Sequence, residues 1–159
     1  MLPLEHALSL SARGFHLIPL RKYTTGQDAP CKMAAQKNWP NAPKPTEEEI
    51  AEWDDRNYGV LCGQDDLIVI DADSKESCTW VDHHLPPTPM SVKTIRGYHF
   101  YYRCHQKLEV DRDKKSTNKD LPMDVKASGY VVGPGCMRVD EIGNPCVRVH
   151  RHGKDASVD

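Results

Sequence analysis

The chain has no apolar run that approaches the roughly 20 residues a membrane-spanning helix requires, so we expect no membrane partner. Its first residues, MLPLEH, lack a basic segment and carry an early acid, which argues against a secretion signal and favours a cytoplasmic location. It has no internal repeat, no low-complexity segment and no Walker-type phosphate-binding motif. The net charge is only −2, which excludes a protein that binds nucleic acid through overall positive charge.

The six cysteines form no CxxC pair, and their spacing is irregular. Without a secretion signal, we interpret them as reduced thiols. A zinc site is the less favoured alternative, because the residue types suit tetrahedral zinc while the spacing fits no standard finger. Its ligands would be Cys78, His83 or His84, Cys104 and His105.

The chain does contain the length and apolar content of one domain of ordinary size, with 159 residues of which 38% are apolar. Periodicity and turn residues predict three helices and, after the first of them, a series of short strands. The predicted helices cover residues 4–13, 47–55 and 78–84, and the predicted strands cover residues 15–20, 57–61, 67–73, 91–95, 98–103, 124–126, 129–132 and 147–150. Because the strands are mainly antiparallel, we predict an α+β fold.

Local signals mark the ends of several of these elements. Gly14 is expected to end the first helix, and Thr46 with Glu49 forms a capping box that begins the second. A tight turn is predicted at residues 96–97, between two strands of a hairpin. Residues 21–45 are expected to be irregular, residues 107–121 mobile, and the tail at 151–159 polar.

The most informative segment is residues 67–73, LIVIDAD, in which a buried β-branched strand ends in two acids. Side chains alternate along a strand, so Asp71 and Asp73 point to the same face. Two carboxylates on one face favour a hard cation such as Mg²⁺ or Mn²⁺, which also brings substrate phosphates. A polar strand end that leads into a turn explains the same residues equally well at this point.

Two further strands carry polar residues in apolar surroundings. His99 follows Arg96 and a glycine that would let a ligand approach the backbone, although a lone histidine among aromatics is usually a packed core residue. Asp124 opens another short apolar strand, and by itself it would be a turn residue after Pro122.

A local excess of basic residues lies between Lys93 and Lys119 and suits a polyanionic substrate beside an acidic metal site. Only three acids, Glu109, Asp111 and Asp113, oppose it. For residues 111–120 alone, a solvated loop of mixed charge is the preferred interpretation. The basic residues are Lys93, Arg96, Arg103, Lys107, Arg112, Lys114, Lys115 and Lys119.

In chain order these features are a DxD strand, a Gly-x-His strand, a strand that begins with Asp, and GYVVGPG at residues 129–135. This order resembles the archaeo-eukaryotic primase superfamily, and in particular the bifunctional primase-polymerase (prim-pol) domains of plasmid, phage and mobile-element replication proteins. The similarity also covers ARGFHLIPL at residues 12–20, Trp39, IAEW at residues 50–53 and NYGVLCG at residues 57–63. It extends over about residues 5–150.

The resemblance implies an RRM-like antiparallel catalytic sheet at about residues 64–150 and a small N-terminal αβ module at about residues 1–63. It implies that Asp71, Asp73 and Asp124 hold two Mg²⁺ or Mn²⁺ ions and that His99 contacts the triphosphate of the incoming nucleotide. The further nucleotide-binding candidates are Arg96, Lys93, Lys126 and Lys32.

The resulting hypothesis is a DNA primase and DNA polymerase that acts in the replication of a mobile element in a prokaryotic host. The partners it implies are a single-stranded DNA template and primer, a dNTP or NTP, a fused or separate helicase, and a helical primase accessory region. The alternatives are a catalytically weak primase-like module that binds DNA at initiation, and a metal-dependent nuclease or phosphohydrolase that shares the acids but retains no triphosphate.

Overall fold

The computed structural model describes residues 3–22, 32–54, 56–105, 122–139, 145–147, 149–150 and 156–158, and their side chains as far as Arg138. The segment at 107–121, which was predicted to be mobile and which carries much of the basic cluster, therefore lies outside the described residues. None of the helices described has the length and apolar character needed to cross a membrane.

The described helices lie in the first part of the chain, a long run of strands follows them, and the sheets are mainly antiparallel, which confirms the α+β class. In chain order the elements are α1 (Pro3–Ala12), β1 (Leu17–Pro19), a 3₁₀ turn (Trp39–Asn41), α2 (Glu47–Ala51), β2 (Tyr58–Leu61), β3 (Leu67–Ala72), α3 (Lys75–His84), β4 (Ser91–Lys93), β5 (Tyr98–Cys104), β6 (Asp124–Lys126), β7 (Tyr130–Val132), β8 (Met137–Val139), β9 (Pro145–Val147), β10 (Val149–His150) and β11 (Ala156–Val158).

The chain divides into two compact units that are each built from two separate stretches of sequence. The first combines residues 1–61 with 130–148, and the second combines residues 62–129 with 149–159. Residues 130–148 group with the first unit because β7 pairs with β2. The division at about residues 63 and 150 that the sequence suggested stays a prediction.

The first unit contains the three-stranded antiparallel sheet β1-β2-β7 and the hairpin β8-β9. Its core includes buried apolar side chains of α1, β1 and β2. The buried Asn57 side chain exchanges two hydrogen bonds with the Met137 backbone, at 2.7 and 2.8 Å. Gly133 is required beside this clamp, because a Cβ there would lie 2.2 Å from the Tyr58 ring.

The second unit is a sheet of order β10-β4-β5-β3-β6, to which β11 adds in parallel at β5. Alternate residues of β3 and β5 pack against α3 in an apolar cluster that includes Ile68, Ile70, Val81 and Tyr102. α3 begins at Lys75 because Ser74 and Ser77 form a reciprocal capping box. Since α3 covers this face, the odd-numbered residues of β3 project to the opposite face of the sheet.

Several predicted boundaries are wrong for identifiable reasons. α2 was expected to reach about residue 55 but ends at Ala51, and Asp54 turns the chain with a φ of 58°. The strand expected at 147–150 is two strands, β9 and β10, which belong to different units. The polar tail contains β11, and α3 starts three residues before its predicted first residue.

The turn between β4 and β5 is longer than the predicted two residues, because β4 already ends at Lys93. Thr94 closes it: its N–H donates to the Gly97 carbonyl at 2.8 Å, and its Oγ1 accepts from the Gly97 N–H at 3.1 Å. Other local signals are confirmed. Thr46 Oγ1 accepts from the Glu49 N–H at 3.2 Å, and Gly14 ends α1 with a φ of 94°.

Candidate functional site

Two predicted acids and the predicted histidine lie in one row across three strands of the second unit. Asp71 on β3 pairs with His99 on β5 and with Asp124 on β6. Directly opposed residues of antiparallel strands share a face, with Cβ atoms about 4.5–5.5 Å apart. Strand pairing therefore brings together three residues that are far apart in the sequence.

Asp71 is held as a carboxylate mainly by His99. The His99 Nε2 lies 3.4 Å from Asp71 Oδ1, with the two side chains 6% and 18% exposed. Burial raises the pKa of Asp71, but interactions with His99, helped by Asp73 and Lys126, outweigh burial and lower it to about 2. Beyond its contact with the His99 ring, the buried Oδ1 has no hydrogen-bond partner among the described residues, which leaves it able to accept a ligand.

Asp73 lies just beyond the end of β3 and interacts electrostatically with Asp71 and Asp124. Burial and then the neighbouring Asp71 charge raise the pKa of Asp73, Asp124 raises it further, and Arg96 lowers it. The charges of Asp71 and Asp124 repel an ionised Asp73, and a cation beside these carboxylates would relieve that repulsion. The three acids thus form one electrostatic cluster.

The turn at residues 94–97 brings Arg96 toward these acids. A Cβ at Gly97 would lie 1.9 Å from the Ala72 carbonyl oxygen, so only glycine lets the turn rest on the end of β3. From the sequence, Gly97 was interpreted as a position where a ligand could approach the backbone. In the structure, the Ala72 backbone occupies that position. Thr94 and Gly97 are positioning residues that the sequence analysis did not identify, although a Thr-x-x-Gly turn is a recognisable signal.

Lys126 lies two residues after Asp124 on β6 and faces the same side of the sheet as Asp71, because it pairs with Val69. Its charge lowers the pKa of Asp71. Cys62 lies close to both residues, and burial raises the pKa of its thiol to about 12. The buried Cys62 is therefore a neutral thiol beside the acidic row.

Lys93 and Lys32 are not part of this row. Lys93 pairs with Tyr98, in register with Ala72, so it projects to the α3 face, where its Nζ lies 5.3 Å from the centre of the Tyr98 ring. Lys32 belongs to the first unit, where its carbonyl accepts a hydrogen bond of 2.7 Å from the Tyr130 hydroxyl. The nucleotide contacts assigned to both lysines stay predictions.

The residues of the alternative zinc set have other contacts. Cys78 Sγ donates to the Ala72 carbonyl at 3.7 Å, His84 stacks on Trp80, and His105 lies 3.3 Å from Asp66. The four cysteines whose side chains the structure describes are all unbridged. No three of the zinc candidates are arranged to hold a metal ion.

The three acids fit a hard divalent cation in the chemistry of their donor atoms. Asp71, Asp73 and Asp124 offer only oxygen, and the buried Asp71 Oδ1 lacks a hydrogen bond within the described part of the chain. Among the described residues, no three His, Cys, Asp or Glu side chains are already arranged to hold a metal ion. Metal binding by this row would therefore require its side chains to turn toward one another.

A comparison with known families finds a match that spans residues of both units. The sequence model of the bifunctional DNA primase/polymerase N-terminal domain, Prim-Pol, matches residues 7–152 and so includes all three acids and His99. No curated protein matches the chain. The match covers well over half of the 159 residues, and the chain therefore belongs to the Prim-Pol family of bifunctional DNA primase/polymerase domains.

Proposed function

We propose that this protein is a template-directed DNA primase and DNA polymerase that joins nucleotides from triphosphates to a 3′ end. The observation that carries the proposal is the row of Asp124, Asp71 and His99 across β6, β3 and β5, in a chain that belongs to the Prim-Pol family. In the reaction, the 3′-hydroxyl gives its proton to solvent water and its oxygen bonds in line to the α-phosphorus. The bond to pyrophosphate then breaks.

Asp71, Asp73 and Asp124 would hold two Mg²⁺ or Mn²⁺ ions, which when bound stabilise the attacking and leaving oxygens. The low pKa of Asp71 supports this assignment, because a metal ligand must be ionised at neutral pH. Zinc is not part of the proposal.

His99 keeps Asp71 charged and oriented, which is a positioning role supported by their 3.4 Å contact. Arg96 and Lys126 would supply positive charge to the triphosphate, because Arg96 interacts with Asp73 and Lys126 with Asp71. The His99 side chain would also contact the triphosphate. Lys93 and Lys32 lie outside the row, so any contact that they make with the nucleotide would come from there.

The wider setting is also part of the proposal. The second unit would be an RRM-like catalytic sheet, and the protein would act in the cytoplasm of a prokaryotic host in the replication of a plasmid, phage or other mobile element. Its partners would be a single-stranded template with primer, a dNTP or NTP, a helicase and a helical accessory region. Binding of the template should weaken steeply with salt, because phosphate contacts release counterions.

The test is primer extension on a single-stranded DNA template with dNTPs and Mg²⁺ or Mn²⁺. A parallel reaction without primer measures priming. The wild type is compared with the Asp71→Ala, Asp73→Ala double variant and with Asp82→Asn, which removes an exposed carboxylate on α3. We expect extension by the wild type and by Asp82→Asn, and none by the double variant.

Each other outcome points to a different function. Binding of DNA without extension under either metal would contradict the polymerase and favour an initiator module. Degradation of the template that depends on Asp71 and Asp73 would favour a nuclease. Extension without product in the primer-free reaction would limit the protein to polymerisation.

A further inference from the structure

A cavity of about 250 Å³ lies in the first unit, remote in sequence from the acidic row. One wall is β1, and the segment before α2 contributes prolines and Ala42. The remaining wall includes the half-buried ring of Trp53. Its polar lining residues are Gln36, Asn38 and Glu49.

Hydrogen bonds fix the segment that closes this cavity. The Arg21 N–H donates to the Met33 carbonyl at 2.8 Å, and the Ala35 N–H donates to the Pro19 carbonyl at 3.0 Å, so residues 33–35 run beside the end of β1. Farther along, Lys44 Nζ donates to the Gly14 carbonyl at 2.7 Å. The cavity is therefore preformed and does not depend on a ligand to shape it.

The lining has the chemistry that a nucleobase requires. An indole ring and proline rings offer flat apolar surface for stacking. Amides both donate and accept hydrogen bonds, and a carboxylate accepts from an exocyclic amine, which are the groups that read base edges. The volume is below the roughly 300–1,000 Å³ of sites for drug-sized ligands, so it suits a single ring system.

Two lysines adjoin lining residues in the sequence. Lys37 stands between the lining residues Gln36 and Asn38, and Lys44 stands between the lining residues Pro43 and Pro45. Both lysines are exposed, and residues 32–45 contain no acid. The Lys44 ammonium group already donates to the Gly14 carbonyl, so Lys37 is the lysine that a phosphate beside a bound base would meet.

We propose that this cavity binds one unpaired base of the single-stranded template. Trp53 stacks on the base, the polar lining reads its edge, and Lys37 contacts an adjacent phosphate. The first turn of α2 is acidic, which directs the phosphates to the lysine side and the base edge toward Glu49. This inference deepens the proposed function and rests on it for the identity of the strand.

The test measures the fluorescence anisotropy of a labelled short DNA strand and of a matched abasic strand, with the full chain. Replacement of Trp53 by Ala should weaken binding of the base-bearing strand about five- to hundredfold, as expected for the loss of one stacked base. It should leave binding of the abasic strand unchanged. Trp53→Phe, which keeps a ring, should restore most of the affinity.

Further measurements separate stacking from folding and from charge. Thermal unfolding shows which variants remain folded. The Gln36→Ala, Asn38→Ala double variant keeps the indole and should change the preference for the bound base. Lys37→Ala should weaken binding of both strands, whereas Lys75→Ala, at an exposed lysine of α3, should weaken neither.

The proposal would be overturned if folded Trp53→Ala bound the base-bearing strand and the abasic strand with equally reduced affinity, or if it bound both as tightly as the wild type. Competition by a free dNTP that depends on Trp53 would also overturn it, because the ligand would then be a nucleotide and not a strand. Primer extension keeps the two proposals distinct. Trp53-dependent strand binding without extension refutes only the polymerase, and extension with Trp53-independent binding refutes only the base pocket.

Discussion

Asp71 keeps its negative charge at a position where burial by itself would favour the neutral acid. The interaction with His99 decides the balance and lowers the pKa of Asp71 to about 2. We expect His99→Ala to raise the pKa of Asp71, because burial would then be opposed only by Asp73 and Lys126. Carbon-13 NMR of the Asp71 carboxyl during a pH titration measures this value directly.

Lys93→Ala is the matched control for this titration. Lys93 lies one strand position from Val92, which pairs with His99, but its side chain projects to the other face and stacks on Tyr98. Its removal should leave the pKa of Asp71 unchanged. An Asp71 pKa that moves as far in Lys93→Ala as in His99→Ala would contradict the assignment of faces.

Cys62 predicts a loss of stability at alkaline pH. Its thiol has an ordinary pKa of 9.0, and burial raises that value to about 12 in the folded protein. Between these two pH values the folded state binds more protons than the unfolded state, so the free energy of unfolding falls as pH rises. The loss should be on the order of 2 kcal/mol by about pH 11.

Cys62→Ala lacks this ionisation, so denaturant unfolding of the two proteins should show a stability difference that narrows or reverses as pH rises above about 9. Other groups that ionise at high pH affect both proteins alike and cancel in the difference. A difference that stays constant from neutral to alkaline pH would show that the thiol is not buried as described.

Among the elements, the β4-β5 hairpin depends most on one residue. An Ala at Gly97 would place its Cβ 1.9 Å from the Ala72 carbonyl oxygen, and because that oxygen is backbone, a strand or the turn must move. We expect Gly97→Ala to lower the free energy of unfolding by more than about 2 kcal/mol and to displace Arg96 from the acids. Denaturant unfolding measures the first effect, and primer extension reports the second.

Gly129→Ala separates steric overlap from backbone strain. Gly129 has a φ of 73° but nothing within 4 Å of an added Cβ, so its cost should be only about 1–2 kcal/mol. If Gly97→Ala proved no more harmful than Gly129→Ala, the close packing of the turn on β3 would be wrong.

Local elements could be predicted because their signals are local. Thr46 caps α2 and Gly14 ends α1 through contacts within a few residues. The sequence also indicates which face of the sheet some side chains take. If the turn between β4 and β5 has an even number of residues, Lys93 pairs with an even-numbered residue and projects to the face opposite His99. The register that aligns Asp124 with Asp71 was not accessible, because it depends on long-range pairing of β6 with β3.

At the scale of the whole molecule, each unit is assembled from distant parts of the chain. β7 completes the sheet of the first unit, and β10 and β11 add to that of the second. Periodicity identified β7 and part of β10, but it carries no information about their partners, since any half-buried strand can extend either sheet. The ordered motifs named Asp71, His99 and Asp124, which strand pairing brings together, but they carried no information on which strands complete each unit.

The central claim is that acids from two strands form one catalytic site, and Asp124→Asn tests it most directly. We predict that primer extension falls by at least about a hundredfold in Asp124→Asn and in Asp71→Asn. The variant that combines these two changes should extend no more slowly than either single variant, because the effects of groups that act as a unit are not additive. Asp82→Asn should extend normally. Near-normal extension by folded Asp124→Asn would contradict the account.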